Sequence, residues 1–141
     1  MHFTGMVLAQ DGMSRQAPRI TKTDAEAPNG RLRDLARRRK RAHTALLRLG
    51  SPVYAAFLQM EKAAYADGAL PRKVKELIAV GISVVRDCDS CMQWHIEQAA
   101  KAGAVKREVF EAVEVGIEMG GGPATVSARF ALEVMDGVFG P

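Results

Sequence analysis

From Ser51 onward, apolar residues recur every three to four positions and are bracketed by Gly and Pro, which predicts short helices joined by tight turns. "SPVYAAFLQMEKAAYADG" offers a Ser N-cap, Pro at the first helical position and Gly68 as a stop. "LPRKVKELIAVGISVVRD" opens on Pro71, places its charges early and is apolar almost all round from Leu77 to Val85, the mark of a central, buried helix. A third helix is expected from about Asp89 to Ala102, ended by Gly103. "KREVFEAVEVGIEMGGG" follows, with Val109, Phe110, Val113, Gly116 and Ile117 on one face. A last helix after Pro123 carries Val126, Phe130, Leu132 and Val134. The alternation typical of strands is nearly absent. The expected fold is all-α, a compact antiparallel helical bundle with Gly-containing turns.

Before Ser51 the pattern changes. Residues 1–30 are rich in Pro, Gly, Thr, Ser and Gln with little apolar periodicity, and read as a flexible N-terminal tail. Residues 31–49, "RLRDLARRRKRAHTALLRL", read as a basic helix stopped by Gly50, with Leu32, Leu35, Ala36, Leu46, Leu47 and Leu49 as its apolar positions. The helical domain is therefore expected over 31–141.

Charge sharpens this division. Residues 1–45 hold ten Lys/Arg against four Asp/Glu, and residues 46–141 hold ten against twelve, so the net +4 of the 141-residue chain originates in its N-terminal third. The five consecutive basic residues Arg37 to Arg41 have the charge to touch phosphate or an acidic partner. No aromatic residue is interleaved among them to stack on bases, so a solvated basic helix face is the expectation rather than a nucleic-acid site. No stretch approaches the roughly 18 apolar residues of a membrane span. The N-terminus also lacks the basic and apolar regions of a secretory signal, so a cytoplasmic address is expected.

In a reducing compartment a lone cysteine pair is more often redox-active or metal-binding than a permanent staple. Cys88 and Cys91, the only two cysteines, lie in "RDCDSCMQWH" at the start of a helix. At i, i+3 their Cβ atoms are roughly 5–6 Å apart, near disulfide reach. The helix N-terminus favours a thiolate, whereas Asp87 and Asp89 oppose it. His95 is i+4 from Cys91 and on the same face, placed to exchange a proton with it. A zinc site needs three or four ligands. The other histidines, His2 and His43, lie in the tail and the basic helix, and no second CxxC exists, so no metal or organic cofactor is expected. Glu76 stands where its helix turns apolar. A first-turn glutamate ordinarily faces solvent, but turned inward, desolvation would make it a proton acceptor near neutrality.

Glu76, Cys88, Asp89, Ser90, Cys91 and His95, in the setting "LPRKVKELIAVGISVVRDCDSCMQWHIEQAAKAGA" followed by "VFEAVEVGIEMGGGPA", resemble the AhpD-like alkylhydroperoxidase family within the carboxymuconolactone decarboxylase superfamily. The resemblance covers about residues 51–139 and leaves out the basic segment. It implies an all-helical, AhpD-like fold, homo-oligomers (commonly trimers or hexamers), and a thiol-dependent peroxidase or disulfide oxidoreductase that takes a hydroperoxide and an external dithiol or thiol-protein donor. It further implies Cys91 as the peroxidatic cysteine, Cys88 as the resolving one, and Glu76 with His95 as the proton relay. The best-known peroxidase members carry histidine immediately before the second cysteine, where this chain has Ser90. Two alternatives remain: a non-redox decarboxylase-like enzyme on the same fold, and a basic partner- or nucleic-acid-binding protein.

Overall fold

The computed structural model describes residues 28–141. Among them are five helices and no strand: α1 (Pro28–Arg48), α2 (Pro52–Ala64), α3 (Arg72–Val85), α4 (Asp89–Lys101) and α5 (Lys106–Phe139). The all-α expectation holds. Nearly all of the expected tail lies outside the described residues, as does His2, while α1 begins three residues earlier than its charge pattern indicated.

The helix ends follow from local chemistry. Gly50 takes a left-handed φ of 63° between α1 and α2, and Ser51 Oγ accepts from the Tyr54 N–H at 3.1 Å to cap α2. Asp67 Oδ1 accepts from the Arg72 N–H at 2.7 Å and so caps α3 from outside the helix. α4 ends in a Schellman turn: the Gly103 N–H donates to Ala100 O, and the Ala104 N–H reaches back to Ala99 O. Within α5 the backbone departs from helical geometry at Gly121, with φ 64° and ψ −150°, just before Pro123. α5 is thus two helical stretches meeting at a kink in the glycine run, which is the expected pair of helices joined end to end.

α3, α4 and α5 build the core from residues such as Val80, Val84, Met92, Ile96, Val109, Val113, Ala131 and Val134, each almost wholly excluded from solvent. The first half of α1 lies across this body. Leu32 and Leu35 pack on the core, and the Arg39 guanidinium sits 4.9 Å from the Trp94 ring centre while donating to Gln93 and Glu97. Of the basic run, Arg37, Arg38, Lys40 and Arg41 are exposed, as expected of a solvated face, and Arg39 alone turns inward.

α3 is central but not buried all round. Ile78, Ile82 and Val85 are about half exposed, because the apolar residues of its outer face find no cover among the described residues. Its inner face meets α5 at a glycine contact: a Cβ on Gly116 would lie 2.7 Å from Gly81 O and 3.0 Å from Val84 Cβ. The obstructing atoms are backbone and a stiff β-branched side chain, so neither yields cheaply. Gly116→Ala is expected to destabilise the fold by roughly 1–3 kcal/mol, the usual cost of overpacking. Gly122→Ala, whose Cβ meets nothing within 4 Å, is expected to melt like the parent. Thermal melts of both variants check this, and equal midpoints would show that the glycine contact is slack.

Candidate active site

Cys88 is the last of three residues, Arg86 to Cys88, that join α3 to α4. At the end of α3 the Asp87 N–H donates to Val84 O and the Cys88 N–H to Ser83 O, a Schellman turn whose left-handed residue is Asp87 (φ 51°) rather than glycine. Asp tolerates this region better than most side chains, and its carboxylate is held by Ser127 Oγ at 2.5 Å. The same Cys88 then serves as N-cap of α4, its Sγ accepting from the Cys91 N–H at 3.3 Å. The turn aims both sulfurs at one cleft, and Cys88 and Cys91 form a disulfide with Cα atoms 5.2 Å apart.

The two acids flanking Cys88, expected to oppose a thiolate, are each engaged elsewhere. Asp87 is bound to Ser127, and Asp89 receives Arg31 Nη2 at 2.8 Å.

Behind the sulfurs lies a buried polar chain. Glu76 turns inward and is only 1% exposed. Its Oε2 is 2.8 Å from His95 Nδ1, and its Oε1 accepts from Arg72 Nε at 3.2 Å. A buried carboxylate needs such partners to offset lost hydration. In the neutral imidazole whose Nδ1–H donates to Glu76, the acceptor is the other nitrogen, Nε2, which is the one that can act as a base. The order is thus cleft, His95, Glu76, Arg72.

The cleft itself encloses about 470 Å³ and is lined by Cys88, Cys91 and His95 together with Tyr65, Ala79, Ile82, Ser83 and Arg86. Glu76 does not reach it. Cys88, Cys91 and His95 therefore share one cavity, and Glu76 touches it only through His95. His43 is elsewhere, bonded to Tyr54 Oη at 2.7 Å.

Two participants escaped the sequence reading. Tyr65, just past α2, stacks on the His95 ring with centroids 5.3 Å apart. Burial first, then the nearby Glu76 and Glu61 charges, push its phenol above the ordinary value of 10.0, so it stays protonated at neutral pH. Nothing in the sequence around Tyr65 marks it. Arg72 was legible in principle, as an i, i+4 partner of Glu76.

Comparison with known proteins adds relatives to this geometry. The profile of the carboxymuconolactone decarboxylase family matches residues 51–134. An uncharacterized protein of the cox locus of Paracoccus denitrificans is 39% identical over 93 residues, covering 66% of this chain and 84% of that relative. Among solved structures, a carboxymuconolactone decarboxylase family protein from Legionella pneumophila superposes with a TM-score of 0.73 at 28% identity, over 79% of this chain and 98% of that one. A family member from Thermotoga maritima, described with a suggested part in an antioxidative response, superposes with a TM-score of 0.67 at 27% identity, over 74% and 88%.

Proposed function

We propose that this chain, which belongs to the carboxymuconolactone decarboxylase family, is a thiol-dependent peroxidase of the AhpD-like type: it reduces hydroperoxides with the Cys88–Cys91 dithiol and is returned to the dithiol by an external thiol donor. One observation carries the reading, namely that the Cys88–Cys91 pair opens on the same cleft as His95, whose far nitrogen is held by a buried carboxylate. By the resemblance, the decarboxylase branch of the family generally does without such a cysteine pair. The suggested antioxidative role of the Thermotoga relative points the same way.

In the proposed cycle, His95 Nε2 takes the Cys91 thiol proton, with Glu76 holding the ring and balancing the imidazolium charge. The thiolate attacks the terminal oxygen of ROOH. The O–O bond breaks, Cys91 becomes a sulfenic acid, and the leaving RO⁻ collects a proton to give ROH. Cys88 then attacks the sulfenic sulfur and expels water, forming the disulfide. A donor dithiol returns two electrons and two protons by exchange, and Cys88 is a good leaving thiolate because its Sγ already accepts the Cys91 N–H. The active form is a homo-oligomer, consistent with the apolar surface left open on α3, and the protein works in the cytoplasm.

The direct test is hydroperoxide consumption by the purified protein with a small dithiol as donor. Turnover that needs both peroxide and dithiol is expected. Decarboxylation of a lactone acid without dithiol turnover would instead place the protein in the other branch of its family.

A further inference from the structure

A peroxide that reacts in line with Cys91 Sγ has its second oxygen directed away from the sulfur, across the cleft. As the O–O bond breaks, that oxygen gains negative charge. A hydrogen-bond donor already in place there stabilises the charged oxygen more than the neutral peroxide, and so lowers the barrier. Cys88, Cys91 and His95 come from α4 and its N-cap, and the rest of the lining comes from α3 with its C-cap Arg86, and from Tyr65. His95 serves the sulfur as a base when the step begins, so a donor for the leaving oxygen has to come from that other side.

Polar side chains are few there. Ser83 Oγ donates to Ala79 O at 2.6 Å, which uses its only proton. Arg86 is exposed, at the place where the cleft meets a neighbouring groove, and water competes for its N–H groups. Tyr65 is part-buried, and its hydroxyl has no hydrogen-bond partner among the described residues. The residue is nevertheless held on both sides. Its N–H donates to Glu61 O at 3.1 Å as α2 ends, Lys75 Nζ donates to the next carbonyl, Ala66 O, at 2.6 Å, and its ring stacks on His95 with an interplanar angle of 29°. The α1–α2 hairpin is thereby fastened at this end, with the phenol against the histidine that serves Cys91. Burial, then the charges of Glu76 and Glu61, keep the phenol protonated, so at neutral pH it has a proton to share.

We propose that Tyr65 is a catalytic residue of the peroxide step, its hydroxyl donating a hydrogen bond to the oxygen that leaves. This rests on the peroxidase reading above and adds the group that meets the developing charge. The Cys91 thiolate supplies two electrons, and the S–O bond forms as the O–O bond breaks. The departing RO⁻ is held by Tyr65 until it takes the proton that His95 Nε2 removed from Cys91. Tyr65 keeps its own proton throughout, so the step balances as thiol plus ROOH giving sulfenic acid plus ROH.

The test varies the leaving group. The comparison is between the fully reduced parent and Tyr65→Phe, which keeps a ring on His95 and deletes only the hydroxyl. Each is oxidised in a single turnover by tert-butyl hydroperoxide, which releases an alkoxide, and by peracetic acid, which releases a carboxylate and has far less need of a donor. Tyr65→Phe is expected to slow the first reaction by about 10² to 10³, the usual worth of one such donor, and to leave the second close to the parent's. A variant that matches the parent with the hydroperoxide would overturn the assignment. Equal slowing with both oxidants would overturn it too, because that is the mark of a residue that only shapes the cleft or steadies His95. A parent whose dithiol is inert to the hydroperoxide would overturn the redox reading and this assignment with it, so the two failures are told apart.

Discussion

Cys91→Ser is expected to abolish hydroperoxide consumption, whereas Cys88→Ser should react once and stop, leaving a sulfenic acid on Cys91 that a dimedone-type reagent traps. The asymmetry comes from where the base stands. His95 is one helical turn from Cys91 on the same face, and with Nδ1 engaged by Glu76 its other nitrogen serves the cleft. Neither substitution should unsettle the helix. Serine is a stronger N-cap than cysteine at position 88, and position 91 lies within the first turn of α4. The competing influence is that Cys88 Sγ, not Cys91 Sγ, accepts the helix N–H, which also favours a thiolate. Sulfenic acid on Cys88 in the Cys91→Ser protein would mean that this hydrogen bond outweighs the histidine and that the roles are reversed.

Glu76→Gln should slow oxidation of the dithiol by about 10² to 10⁴, the usual worth of positioned acid–base catalysis. The amide keeps the shape and still accepts from His95, but it no longer balances an imidazolium in a site that water barely reaches. Raising the pH, which supplies thiolate without the relay, should partly restore the rate. Stability should change little. The pair to Arg72 involves a side chain that is half exposed, and removing a buried charge also removes its desolvation cost. The measurement is the pH dependence of single-turnover oxidation, with melting curves as control. If the variant reacts like the parent at neutral pH, Glu76 is a structural anchor for Arg72 and His95 and no part of the relay.

What the sequence revealed was local, and what it withheld depended on packing. Helix starts at Ser51 and Asp89 and the stop at Gly103 are capping chemistry confined to a few residues, and they appear where expected. The reach of His95 to the Cys91 face is equally a matter of helical spacing. Whether Glu76 turned inward was undecidable locally, because a glutamate expected in the first turn is well served by solvent and the helix dipole alike; with α3 starting at Arg72, Glu76 lies beyond that turn. Its burial follows from His95 and Arg72 arriving from two directions. Tyr65 was invisible because only the tertiary path of the α1–α2 hairpin brings it to His95. The turn at Asp87 carries no glycine to announce it, and a side chain forty residues away holds it. Periodicity in α3 identified Ile78, Ile82 and Val85 as apolar, but periodicity does not say whether a chain covers its own apolar face or leaves it for another.

The measurement that bears most directly on this account is intact-protein mass spectrometry of the fully reduced chain before and after one equivalent of hydroperoxide, followed by a dithiol. The account predicts loss of two hydrogens, with a digest joining Cys88 to Cys91, and full return on adding the dithiol. A reduced protein whose two thiols survive the peroxide while it remains folded would contradict it.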